Sequence, residues 1–280
     1  MPDFKEYLEH VLEDVPASRV REAMRYSLMA GGKRIRPRLL FAVLEAYGMD
    51  VQSGYRCAAA IEMIHTYSLI HDDLPAMDND TLRRGMPTCH VKFDEGVAIL
   101  AGDALLTQAF VLGCTACDNA VINQSIVHAL STYSGAAGMI LGQIKDLEGE
   151  VNPDITVEGL KDIHIYKTGK LITLPLVCAA YLAGKEEDIP VWEKIGKAIG
   201  ISFQIQDDIL DVTSTVEELG KNINSDAENG KTTYVTLMGI EEAAKEAERY
   251  YKEAMDCLES LHLDPKPVLN VVRELTRRKH

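Results

Sequence analysis

The stretch Ile61-Glu62-Met63-Ile64-His65-Thr66-Tyr67-Ser68-Leu69-Ile70-His71-Asp72-Asp73-Leu74-Pro75 decides the fold class. It is the end of a helix that runs from about Gln52 toward Pro75, apolar for most of its length and then abruptly acidic. Proline interrupts a helix because it lacks an N–H and clashes with the preceding turn. Upstream, Val20, Met24 and Leu28 fall at i, i+4, i+8 behind Ser18, a helix N-cap residue. Gly31-Gly32 ends that segment, and Pro37 suits the first turn of a helix reaching Gly48. Downstream, helical patterns cover roughly 94–117, 119–137, 138–149, 157–183, 190–212, 232–238, 240–261 and 266–277. No run of alternating residues with hairpin turns stands out. The expectation is an all-α chain of about ten or more helices with short connections.

The 280 residues are 46% apolar and 26% charged, ordinary for a chain with a sizeable core. No Pro/Ser-rich linker divides them, so a single domain over 1–280 is expected. The net charge of −14 opposes a nucleic-acid partner and a general affinity for anionic membranes. Val97 to Gly113 is apolar but broken by Asp103 and Gln108, so no membrane span or stable anchor is expected. The N-terminus lacks the pattern of a signal peptide. The six cysteines are scattered, which suits a reducing cytoplasm. Cys114 and Cys117 are read as two small apolar residues on a helix.

Two polar, glycine-bearing segments, 79–90 and 214–231, are candidate functional loops. Each adjoins an aspartate cluster: Asp72, Asp73 and Asp78 before the first, Asp207, Asp208 and Asp211 before the second. The clusters echo one another in Ile70–Leu74 and Ile205–Ile209, as two facing helices using one device would. Asp207 and Asp211, four apart, project from one helix face. Pro75 lets Asp78 approach Asp72. Neighbouring carboxylates on apolar helices repel unless a cation or solvent separates them, and Mg²⁺ takes oxygen ligands and shares them with substrate phosphates. Mn²⁺ accepts the same donors. Cations flank the clusters: Lys33, Arg34 and Arg36 at the glycine turn, Arg83-Arg84 after the first, Lys167 in mid-chain, Lys221 and Lys231 after the second. That order suits polyanionic substrates held partly by metal and partly by protein.

With these residues in place the chain resembles the trans-isoprenyl diphosphate synthases, closest to the bacterial farnesyl diphosphate synthases. The matching stretches are GGKRIRP, MIHTYSLIHDDLPAMDNDTLRRG, LAGDALLTQAF, GQIKDL, the KTG of IYKTGK, FQIQDDILD and GKNINSDAENGKTTY. They occur in the family's order from residue 30 to 236. The resemblance implies the isoprenoid synthase fold, a helical bundle around a deep central cavity, and a homodimer. It implies three Mg²⁺ ions and condensation of isopentenyl diphosphate with dimethylallyl or geranyl diphosphate to give farnesyl diphosphate. Carried over by residue, Asp72, Asp78 and Asp207 are metal ligands, supported by Asp73, Asp208 and Asp211. Arg83, Lys167, Lys221 and Lys231 hold the allylic diphosphate, and Thr168 and Gln204 line the reacting centre, with Gln143 and Asp146 nearby. Lys33, Arg36, His65 and Arg84 hold isopentenyl diphosphate. Tyr67 lies five residues before Asp72, about 7.5 Å along the helix axis. There, with Ser68, it marks the chain-length position. Many relatives read KTGAL, where this chain has Lys170; solvent, diphosphate and Asp146 remain open as its partner.

The chemistry this implies is heterolysis of an allylic C–O bond, driven by electrostatic stabilisation of the leaving diphosphate. The cation must then be kept from water in an apolar cavity. The double bond of isopentenyl diphosphate attacks it, and the departing diphosphate takes the proton. The alternatives are a geranylgeranyl diphosphate synthase, a terpene cyclase and an inactive subunit of a heteromeric synthase. Lys33, Arg36 and Arg84 speak against the cyclase, which needs no second diphosphate site.

Overall fold

The computed structural model describes residues 2–150, 152, 154–213 and 232–276. Among these residues the protein is helical apart from one two-stranded ribbon. The chain falls into two compact units, one of residues 1–38 and 50–130, the other of 39–49 and 131–280. The division runs within α3 (Ile35–Ala46) and α7 (Ala120–Ser134).

The first unit contains α1 (Pro2–His10), α2 (Arg19–Leu28), α4 (Tyr55–Asp72), α5 (Cys89–Lys92) and α6 (Glu95–Gly113). Ser18 caps α2 by accepting the Arg21 N–H at 3.2 Å, as its residue type implies. The helix α1 is an addition to the sequence reading; its buried stripe is Phe4 and Leu8, followed by Leu12, at i, i+4, i+8. The core is α4, whose residues from Cys57 to Ile61, with Met63 and Ile64, are fully buried. A helix apolar on all sides is an interior helix. Along it packs α6, which presents Ala98, Ala101, Gly102, Leu105 and Ala109. By length and composition α6 could cross a bilayer despite Asp103 and Gln108; here its small residues are buried against α4, while Ile99, Leu100 and Val111 are exposed. It ends at Gly113, which corrects the reading of Cys114 and Cys117 as helical neighbours. Cys114 is the C-cap, and Cys117 lies beyond it. The Asn123 side chain accepts from the Cys117 N–H (2.9 Å) and donates to its carbonyl (2.8 Å), replacing helical bonds there.

The second unit contains α8 (Met139–Glu150), α9 (Val157–His164), α10 (Lys170–Leu182), α11 (Ile189–Thr213), α12 (Tyr234–Met238), α13 (Ile240–Glu259) and α14 (Lys266–Thr276). The pattern read as one helix over 157–183 is two helices joined by a π-helical turn, Ile165–Gly169. Such turns carry one residue more than an α-helix absorbs and often mark functional positions. Helix α11 packs on α10 and α13. Its Trp192 is fully buried and donates its indole N–H to the Tyr47 hydroxyl at 2.9 Å, which donates to Asp188 at 2.6 Å. Helix α13 buries Ala243, Ala247, Tyr250, Ala254 and Leu258, the stripe of an amphipathic helix.

Candidate active site

The first unit places its acidic residues where α4 ends. Asp72 is the last helical residue, and the chain folds back so that the Asp78 N–H donates to the Asp72 carbonyl at 2.9 Å. Asn79, with φ 54°, completes the turn by donating to the Leu74 carbonyl. Six residues of sequence separation therefore close into one turn, as the interruption at Pro75 suggests. Asp73 points elsewhere: it is 3% exposed and its carboxylate accepts from Arg83 Nε at 2.7 and 2.9 Å and from Arg83 Nη2 at 2.5 Å. Burial raises the Asp73 pKa against the opposing pull of Arg83. Asp72 and Asp78 offer only hard oxygen donors. Among the described residues no three His, Cys, Asp or Glu side chains converge on one point. That donor chemistry fits a hard divalent cation held by one or two carboxylates, with water and phosphate completing its shell.

Arg83 reaches Asp73 from a hairpin that the sequence reading treats as loop. Strands β1 (Leu82–Arg83) and β2 (Met86–Pro87) pair antiparallel, Arg83 opposite Met86. The two linking residues, Arg84 (φ 54°) and Gly85 (φ 75°), both have the left-handed backbone that tight hairpins use. Tyr26 donates to the Pro87 carbonyl at 2.7 Å and holds the ribbon down.

The glycine turn meets this hairpin. Gly31 and Gly32 have φ 85° and 104°. A Cβ on Gly32 would stand 2.5 Å from Arg84 Cζ, so the guanidinium lies where a side chain would be. Arg84 also donates to the Gly31 carbonyl. Arg34, at φ 47°, donates to Glu62 and to the Leu28 carbonyl, each at 2.5 Å. Glu62 is 2% exposed, so Arg34 is committed to the fold. Arg36 differs: its Nε is buried with no hydrogen-bond partner. Burial lowers the Arg36 pKa to about 10, with Glu62 opposing. His65 is held well below its usual pKa by burial and by the charges of Arg36, Arg84, Arg83 and Arg34. A neutral imidazole among guanidinium charges, together with an unmet Arg36 N–H, is a combination that suits an anion.

A titration follows from that cluster. His65 should stay neutral as pH falls through 6.5, where an unperturbed histidine protonates. Inorganic diphosphate should move its pKa upward, so binding takes up a proton and strengthens as pH falls. For stability the sign is fixed too: a depressed folded pKa means that stability falls as pH drops below the unfolded value. NMR of the His65 ring with and without diphosphate checks this; an unshifted midpoint on saturation would overturn it.

The second unit holds the remaining described residues. Lys167, in the π-helical turn, pairs with Asp146 of α8 at 2.5 Å. The neighbouring Thr168 donates to Gln204 Oε1 of α11 at 3.0 Å. Two glycines let those helices close on the turn. A Cβ on Gly142 would overlap the backbone N of Lys167, and one on Gly200 would stand 2.6 Å from Gly169 Cα. Asp207 is partly exposed, while Asp208 and Asp211 are 5% and 1% exposed. Asp208 accepts the Tyr234 N–H at 2.8 Å, tying α11 to the start of α12. A hollow of about 140 Å³ is lined by Asp146, His164, Lys167, Thr168, Gln204, Asp208 and Thr233, among others.

Other expected residues have these places. Lys33 is exposed at the glycine turn. Gln143 Nε2 is buried without a hydrogen-bond partner. Tyr67 is 5% exposed and its hydroxyl has no hydrogen-bond partner; burial, then Asp72, raises its pKa to about 12. Ser68 donates to the His65 carbonyl at 2.9 Å. Lys170 lies over the Tyr133 and Tyr166 rings at 5.3 and 5.4 Å, a partner other than solvent, diphosphate or Asp146. Lys221 and Lys231 lie outside the described residues, as do the C-terminal Arg277, Arg278, Lys279 and His280. Sequence reasoning misses His164. It is 8% exposed, its Nδ1 has no hydrogen-bond partner, and burial lowers its pKa to about 4. Its place one turn before Lys167 is the available signal.

The chain is similar to proteins of known activity. The chain is 48% identical over 245 residues to a farnesyl diphosphate synthase of Micrococcus luteus, covering 87% of this chain and 84% of that one. It is 46% identical over 257 residues to a geranylgeranyl diphosphate synthase of Cyanophora paradoxa, covering 89% and 83%. The fold matches a geranyltransferase of Helicobacter pylori crystallised with magnesium and isoprenyl diphosphate. There the TM-score is 0.81 and the identity 36%, over 99% of this chain and 94% of that one. Residues 17–263 match the polyprenyl synthetase family, and the chain belongs to it.

Proposed function

We propose that the protein is a trans-prenyltransferase that condenses isopentenyl diphosphate with dimethylallyl and then geranyl diphosphate, giving farnesyl diphosphate and diphosphate. The observation that carries this is the double provision for anions in the first unit. The carboxylates of Asp72 and Asp78 suit a metal-bound diphosphate, and the cation cluster of Arg36 and Arg84 around His65 suits one held by protein alone. Two diphosphates are what a condensation needs and a cyclase does not. The family match through both units supports reading 1–280 as one catalytic domain.

Mg²⁺, bound by Asp72, Asp78 and Asp207 with Asp73, Asp208 and Asp211 in support, would stabilise the charge growing on the leaving diphosphate. Arg83, Lys167, Lys221 and Lys231 add fixed cations to the same group. Lys167 is paired with Asp146, and Thr168, bonded to Gln204, would line the reacting centre with it. Lys33, Arg36, His65 and Arg84 hold isopentenyl diphosphate. The exposed Ile99, Leu100 and Val111 of α6 support assembly as a homodimer, and the scatter of the six cysteines supports a reducing cytoplasm.

The test is turnover of isopentenyl and dimethylallyl diphosphates by the purified protein with Mg²⁺, followed by chromatography of the dephosphorylated product. Farnesol is expected. Geranylgeraniol would favour the longer-chain synthase, and diphosphate release without isopentenyl diphosphate a cyclase. No turnover would indicate a subunit of a larger enzyme. In the same assay Tyr67→Ala should lengthen the product from C15 toward C20, because the buried ring closes the path of the growing chain. An unchanged product would remove Tyr67 from that role.

A further inference from the structure

We propose that His71, seated on the bare backbone of Gly102, braces Tyr67 and thereby helps set where chain growth stops. The inference rests on the reading of Tyr67 as the floor of the chain pocket. Tyr67 and His71 are one helical turn apart on α4, with ring centroids 5.8 Å apart and planes at 79°. The tyrosine hydroxyl makes no hydrogen bond, so none fixes the position of this ring. Packing must do so, and the His71 ring makes a near-perpendicular aromatic contact with it.

His71 is itself fixed from α6. Its Nε2 lies 3.2 Å from the Ile99 carbonyl and 3.9 Å from Asp103 Oδ1. A Cβ on Gly102 would overlap that Nε2 and stand 2.5 Å from Cδ2. Gly102 is helical and needs no special backbone angle, so its missing side chain serves the space that the imidazole fills. The contacts thus run from the α6 backbone through His71 to Tyr67. A side chain at 102 would push the ring away and release the tyrosine without touching it.

The experiment measures the C20 to C15 product ratio for Gly102→Ala, His71→Ala, His71→Phe and Tyr67→Ala in the full-length enzyme. Gly102→Ala and His71→Ala should raise the ratio roughly tenfold, the scale of one lost packing contact expressed as a partition of rates. His71→Phe keeps the ring and should keep the wild-type ratio. His71→Ala combined with Tyr67→Ala should add nothing to Tyr67→Ala alone, because the two act through one wall. A merely structural His71 would lower kcat or thermal stability and leave the ratio where it was. That result, with Tyr67→Ala still lengthening the product, overturns the brace and spares the floor. No change with Tyr67→Ala overturns both. Where Gly102→Ala fails to fold, the contrast between His71→Ala and His71→Phe decides alone.

Discussion

Asp72→Asn lowers kcat by about a thousandfold or more, the scale of losing a group that stabilises a leaving diphosphate through metal. Its melting temperature stays within a few degrees of wild type. The two halves of this expectation have different causes. Asparagine keeps the shape of the side chain but loses the charge that a hard cation selects. The backbone carbonyl of residue 72 still accepts the Asp78 N–H, so the turn that ends α4 survives. Steady-state kinetics across a Mg²⁺ series, with a thermal melt, checks both. A kcat within tenfold of wild type would take Asp72 out of the metal site. Asp73 is a useful contrast, because its carboxylate is held by Arg83 and its loss disturbs the hairpin as well.

Arg34→Ala costs about 3–5 kcal/mol of folding stability, the range for removing one partner of a buried ion pair. Glu62 is 2% exposed and its Oε2 has no hydrogen-bond partner, so truncating Arg34 leaves a buried carboxylate without the cation hydrogen-bonded to it inside the first unit. Alanine also inherits the left-handed backbone at φ 47°. Arg34→Gly separates the two contributions: it relieves the backbone by about 1 kcal/mol and leaves Glu62 as exposed to imbalance as before. Urea denaturation of the three proteins measures this. A loss below about 1 kcal/mol for Arg34→Ala, the scale of a surface pair, would show that Glu62 finds another partner.

Asp72 and Arg34 also mark how far the amino-acid sequence speaks for itself. The helices are legible because apolar spacing over ten or more residues leaves little freedom. The aspartate clusters stand out in sequence because neighbouring carboxylates on apolar helices repel unless a cation or solvent separates them. Arg34 does not stand out, since Lys33, Arg34 and Arg36 look alike in sequence; the positive φ and the buried Glu62, 28 residues away, separate them. The hairpin at 82–87 escapes because two residues per strand show no alternation, and Arg-Gly is an unusual pair for so tight a turn. The π-helical turn escapes because one extra residue scarcely disturbs a period over a long helical pattern. His71 and Gly102 escape because their meaning lies in a space that one leaves and the other fills.

The same π-helical turn bears on how such an enzyme can change. Adjacent residues of an α-helix point about 100° apart; here Lys167 engages α8 while Thr168 engages α11. The spacing between those partners is held by main chain, since Gly142 and Gly200 press bare backbone against the turn from both sides. No ordinary point substitution tunes that spacing by small steps: a side chain at either glycine collides, and a deletion within the turn swings α9 out of phase with α10. Tyr67, by contrast, is a side chain on a regular helix, and one codon alters its size. Selection on such a protein therefore has a coarse control at the π-helical turn and a fine one at Tyr67. Product length can drift among descendants while the handling of diphosphate stays as it was inherited.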